Sequence, residues 1–161
     1  MAHIIKLTDF NTEGYENFIE DINNSEHIED REIYLASEGG STWTIEPFKK
    51  IIEDRQIPII THSDLFSSAL ILVLITNTKI TILKHTRAIF HYPYQTHIEL
   101  NPDSSLRLQG KTNKKLQKDT FVDITQLKKI LKINKKQHKK LMKGSNILYN
   151  YKQLRKILNK N

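Results

Sequence analysis

Chemistry in this 161-residue chain has to be done without sulfur nucleophiles, because the sequence contains no cysteine. That removes a thiolate nucleophile, a thiolate zinc site and a disulfide framework together, and fits a reducing compartment. The seven histidines, at positions 3, 27, 62, 85, 91, 97 and 138, form no i, i+4 pair of the kind that binds a metal on one helix face. Neither a metal nor another cofactor is expected, and the sequence has no Walker-type phosphate loop. What remains is a hydroxyl activated by an imidazole, and three stretches have the residues for it. Ser37 to Ser41 reads SEGGS, where Gly39 and Gly40 let backbone N–H groups face an anion. Ser67 and Ser68 lie in SDLFSSAL at the start of an apolar run, where the positive end of a helix would favour a nucleophile and its oxyanion. His91 lies in FHYP, on a segment that Pro93 must end, where a ring nitrogen can reach a hydroxyl on a neighbouring element. Each stretch alone also has an ordinary structural explanation: a Gly-Gly turn, a helix cap, a packed histidine.

The elements that position these residues alternate. Strands are predicted at His3 to Thr8, Arg31 to Ser37, Ile57 to Thr61, Lys79 to Lys84 and Ala88 to His91. Helices are predicted at Thr12 to Asn23, Thr44 to Asp54 and Leu65 to Ile75, the last apolar on every side and therefore enclosed. Such alternation indicates parallel β-α units, whose ligands sit at the carboxyl ends of the strands, next to the Gly39 turn. The expected organisation is a single α/β domain over 1–161: a core over 1–94, a polar flexible loop over 95–113 and a basic helical part over 114–161. In that last part Leu116, Thr120, Ile124, Leu127 and Leu131 form one stripe, Gln137 to Lys143 a short helix before Gly144, and Tyr151, Leu154 and Leu158 a final turn-and-a-half.

Taken in order and spacing, with Ser67 preceding His91 by 24 residues, the three stretches resemble the Clp protease proteolytic subunit family. SEGGS is similar to that family's Ser-Pro-Gly-Gly turn, with Glu38 in the proline's place. Ser63, Leu65, Ser67 and Ala69 fall on its Gly-x-Ala-x-Ser-x-Gly pattern, and His91-Tyr92-Pro93 on its His-Gln-Pro. The resemblance implies the fold that family shares with crotonase-like enzymes, and a serine peptidase in which Ser67 attacks and His91 moves the proton. It implies an oxyanion hole from the N–H groups of Gly39 or Gly40 and of Ser68, stacked rings of identical copies, and an ATP-driven AAA+ unfoldase as partner. Ser68 is the rival nucleophile. Three departures stand out: Ser145 occupies the position of the family's catalytic aspartate, Ser63 replaces a glycine, and Phe66 replaces a small residue. Loss of the orienting carboxylate can lower turnover on the order of 10⁴-fold in a serine triad. Asp64 and Asp123 are the alternative carboxylates, with Asp64 expected to cap the Ser67 helix.

Charge divides the chain. Residues 1–105 carry 8 Lys and Arg against 16 Asp and Glu, a balance of −8, whereas residues 106–161 carry 17 against 2, a balance of +15. The basic part suits an anionic partner: nucleic acid, an anionic surface, or the acidic part of a neighbouring copy. Only Phe121, Tyr149 and Tyr151 interleave with those cations as stacking platforms, which is thin for a single-strand binder. The apolar run from Ala69 to Ile75 is far short of the roughly 20 residues of a membrane span, and Asp9 and Glu13 follow too soon for a secretory signal. A cytoplasmic protein without membrane contact is expected. Three functions fit: a peptidase subunit acting on peptides, a catalytically silent scaffold subunit of the same fold, or a nucleic-acid-associated protein.

Overall fold

The computed structural model describes residues 1–93, 95–100, 106–111 and 122–159. Its centre is a six-stranded sheet in the order β1 (His3–Leu7), β2 (Arg31–Ser37), β3 (Ile59–Phe66), β5 (Arg87–Phe90) and β8 (Ile147–Asn150), with β4 (Ile80–Ile82) also pairing β3. β1 to β5 pair in parallel, and β8 runs antiparallel to β5. The architecture is mixed α/β, as the alternation predicts. β3 serves two neighbours in succession: Ile59 to Thr61 pair with β4, and Asp64 to Phe66 with β5.

Strand burial follows the pleat. In β1 only Ile5 and Leu7 are buried, and in β2 Ile33, Leu35 and Ser37, so one face of the sheet carries the deep core. α1 (Thr12–Asn24) covers it with Phe18 and Ile22, and α2 (Ile45–Asp54) with Ile45, Phe48 and Ile52. Phe48 meets Phe10, Tyr15 and Phe18 edge to face, with ring centroids 5.1–5.5 Å apart. α3 (Ser68–Ile75) is apolar throughout because it lies between α2, the sheet and α4 (Ile124–Ile130). Asn11 caps α1 by accepting from the Gly14 N–H at 2.7 Å.

Three expectations need correction. β3 runs on through Phe66, so the helix begins at Ser68 and not at Leu65; the apolar run hid the boundary, since burial on all sides erases the periodicity that separates strand from helix. The stretch 95–113 contains two strands, β6 (Gln95–Leu100) and β7 (Leu106–Lys111), paired antiparallel with Ile98 opposite Leu108; its other residues, 101–105, 112 and 113, lie outside those described. The basic part is not purely helical: β8 intervenes between α5 (Lys135–Met142) and α6 (Tyr151–Leu158), made a strand by its pairing with β5. Leu116 and Thr120 of the predicted stripe also lie outside the described residues, while Leu127 and Leu131 are buried. Among the described residues, each helix of this part opens on a local cap: Asp123, Asn134 and Asn150 accept from the backbone three residues on. Among the described residues, no helix is long and apolar enough to cross a membrane.

Candidate active site

β2, β3 and β5 run parallel and end on the same side, and the three stretches singled out in the sequence follow those three ends. Ser67 is the single residue between β3 and α3. Its backbone sits at φ 53°, ψ −119°, the conformation of the first central residue of a type II′ turn, which glycine normally fills. Holding a serine there costs on the order of 1–3 kcal/mol and persists only where surrounding structure enforces it. The enforcing contacts are visible. The Ser67 N–H donates to the Ile89 carbonyl at 2.9 Å, and Phe66 pairs with Ile89 across β3 and β5. The result is a half-buried hydroxyl on a sharp strand-to-helix turn, at the N-terminus of a buried helix.

Gly39 packs directly on this turn. A Cβ there would lie 2.7 Å from the Phe66 carbonyl oxygen, 2.7 Å from Ser67 Cβ and 3.2 Å from the Ser68 nitrogen. With φ at 96° as well, glycine is required twice over. Gly40 serves a different neighbour: a Cβ would strike the Phe10 carbonyl oxygen, which accepts from the Ser41 N–H at 2.6 Å. Gly40 thus ties the SEGGS turn to Phe10, just beyond β1, and Gly39 faces the Ser67 turn. The Gly39 N–H donates to Ser37 Oγ at 3.1 Å, and the Ser68 N–H is the first of α3.

The rival serine is engaged. Ser68 is fully buried and its hydroxyl donates to the Gly40 carbonyl at 2.8 Å, which clamps the glycine turn to α3. Asp64 is not a helix cap, because it lies within β3 and its carboxylate takes two hydrogen bonds from Arg87, at Nε and at a terminal nitrogen. The Arg87 guanidinium holds the Asp64 carboxyl below the usual carboxylate range, the hydrogen bond being the larger cause. Arg87 also stands 5.7 Å over the Phe66 ring, so the bulk beside Ser67 is packed under a cation. Asp123 is occupied as the cap of α4.

His91 follows Phe90, the last residue of β5, and leaves the sheet beside Ser67. Its Nδ1 is 2.9 Å from the Tyr92 carbonyl oxygen. A carbonyl can only accept, so Nδ1 carries the proton and Nε2 the lone pair in the neutral ring. Tyr92 is 1% exposed, its ring edge to face on Phe90, and its hydroxyl lies 2.6 Å from His138 Nδ1 on α5. Burial pushes the Tyr92 phenol up from its ordinary value.

Ser145 closes α5. The N–H of Gly144, at φ 85°, donates to Leu141 O and that of Ser145 to Lys140 O, both at 3.0 Å, which is a Schellman motif. Because β5 and β8 pair with Phe90 opposite Ile147, the exposed Ser145 segment approaches β8 from the end at which His91 leaves β5. Sequence reasoning missed the Tyr92–His138 pair and the Arg87–Asp64 pair. Tyr92 between a histidine and a proline was the available signal for the first; nothing local marked the second.

An open cavity of about 420 Å³ adjoins the glycine turn, lined by Thr8, Asp9, Ser37, Glu38, Gly39 and Asp64 among others. It lies across the ends of β1, β2 and β3, and neither Ser67 nor His91 lines it.

The chain matches no known family profile and no curated protein sequence. Its fold is similar to the crystal structure of a peptidase from Plasmodium falciparum, with a TM-score of 0.58 and 17% identity over 96% of this chain and 91% of that one.

Proposed function

We propose that the chain is a serine peptidase subunit of the Clp protease proteolytic type, with Ser67 as nucleophile and His91 as general base and acid. The observation that carries this reading is the conformation of Ser67, a strained non-glycine turn residue at the end of a strand and the start of a helix. The fold-level likeness to a peptidase supports it. In the reaction, Ser67 Oγ attacks the peptide carbonyl as its proton passes to His91 Nε2. The oxyanion lies against the Ser68 N–H and the Gly39 turn, and His91 gives the proton to the departing amine. Water then hydrolyses the acyl-serine by the same steps reversed. Peptide hydrolysis by the assembled protein should fall to background in both Ser67→Ala and His91→Ala; activity surviving either change removes the reading.

A silent scaffold subunit of the same fold is the second reading. It is favoured by the Gly39 N–H being bonded to Ser37 Oγ and by Ser145 lacking a charge to offset an imidazolium. Unlabelled, inactive protein that still assembles is its signature.

Ring-like self-association, an AAA+ unfoldase partner and an anionic contact for residues 106–161 belong to the same proposal. Among the described residues, the ion pairs Lys49–Glu53, Lys50–Asp54, Arg55–Glu26 and Arg87–Asp64 all lie in the first two thirds, and no lysine between 128 and 156 has an acidic partner. Those cations suit the acidic part of a neighbouring copy or a polyanion such as nucleic acid. Light scattering should show an assembly that weakens with salt, whereas a monomer at low and high salt alike excludes it.

A further inference from the structure

We propose that Tyr92 and His138 form a positioning device for His91, doing with a backbone carbonyl what a carboxylate does in a Ser-His-Asp site. The proposal rests on the hydrolase reading above for its catalytic meaning, but its geometry stands apart from it. An imidazole that is to take a proton at Nε2 must be held as the Nδ1–H tautomer, with the ring fixed in orientation. In this chain the acceptor at Nδ1 is the Tyr92 carbonyl at 2.9 Å.

A carbonyl orients a ring only if it is itself immobile, and three constraints fix this one. Pro93 confines Tyr92 to extended backbone, which sets the direction of its C=O. The Tyr92 ring is buried, with its centroid 5.9 Å from that of Phe90 at an interplanar angle of 88°. Its hydroxyl is anchored by the 2.6 Å hydrogen bond to His138 Nδ1, and the two rings meet edge to face at 5.5 Å. α5, which carries His138, ends in the Schellman turn that presents Ser145, so the helix that lacks the aspartate also supplies the anchor. The carbonyl is a dipole without net charge. It selects the tautomer and stabilises the imidazolium only partly, which suits a site with a serine at position 145.

Tyr92→Phe keeps the ring, the carbonyl and Pro93 but removes the link to His138. His138→Leu removes the anchor from the other side, and His138→Asn places an amide near the Nδ1 position. The rate of fluorophosphonate labelling at Ser67 should fall on the order of 10- to 100-fold in Tyr92→Phe and His138→Leu, with melting temperature kept, and recover in His138→Asn. The ¹⁵N shifts of His91 in the parent should show Nδ1 protonated and Nε2 not, and in the two loosened variants should move towards a mixture of tautomers. Full labelling rates in folded Tyr92→Phe and His138→Leu overturn the proposal, as does a parent His91 protonated at Nε2. A parent that does not label contradicts the hydrolase reading alone; the tautomer and its response to Tyr92→Phe and His138→Leu then decide the proposal.

Discussion

The Ser67 end and the His91 end of the candidate site are built differently. Around Ser67 four contacts converge: Gly39 against its Cβ, Ser68 Oγ on the Gly40 carbonyl, its own N–H on Ile89, and Arg87 over the adjoining Phe66 ring. At His91 the ring Nδ1 lies against a backbone carbonyl, and the position read as the family's carboxylate is an exposed serine on a helix end. The first end holds a strained conformation through close packing and backbone hydrogen bonds. The second holds an orientation without charge. On the proposed reading, such a site keeps the Ser67 hydroxyl presented, while the carbonyl at Nδ1 adds no net charge to support an imidazolium.

The largest test of the contrast is at Gly39. Gly39→Ala should lower Ser67 labelling on the order of 100-fold by displacing the turn. It should also destabilise the fold by about 1–3 kcal/mol from overpacking against the Phe66 carbonyl. Gly144→Ala is the control at the other end: φ is positive there too, but nothing lies within 4 Å of the added Cβ, so the cost is about 1 kcal/mol. Equal urea-melt losses for the two variants would erase the distinction.

A smaller effect is expected from adding the missing charge. Ser145→Asp should raise peptide hydrolysis roughly 10-fold by supporting the imidazolium, a modest part of what a carboxylate contributes in an intact triad, because the Tyr92 carbonyl already occupies Nδ1. The gain should be larger in the His138→Leu background, where that carbonyl is no longer pinned. A gain that persists when Ser67 is also changed to Ala would come from another site, and no gain in either background would separate position 145 from His91.

The same contrast divides what the sequence revealed from what it hid. β2 was legible to the residue as Arg31–Ser37, because its buried and half-buried residues alternate and Gly39 and Gly40 end it. The Gly39 turn, Ser67 and His91 were legible as types and spacings. The β3–α3 boundary was not: Leu65 and Phe66 run into an enclosed helix with no change of period, so the strained turn could not be seen. β8 is four residues between two short helices and exists as a strand through its pairing with β5. The acceptor at His91 is a main-chain oxygen, which no residue type announces, and its anchor His138 is 46 residues away along the chain from Tyr92.

The central claim is that the fold holds Ser67 in a costly conformation because its hydroxyl is the nucleophile. The most direct measurement is fluorophosphonate labelling of the assembled protein with the modified residue mapped by mass spectrometry, run beside urea melts of Ser67→Gly. The account predicts adduct on Ser67 alone in the parent, none in Ser67→Gly, and a gain of about 1 kcal/mol in that variant as the φ 53° turn is relieved. Adduct on another residue, no adduct in the parent, or a Ser67→Gly protein less stable than the parent would contradict it.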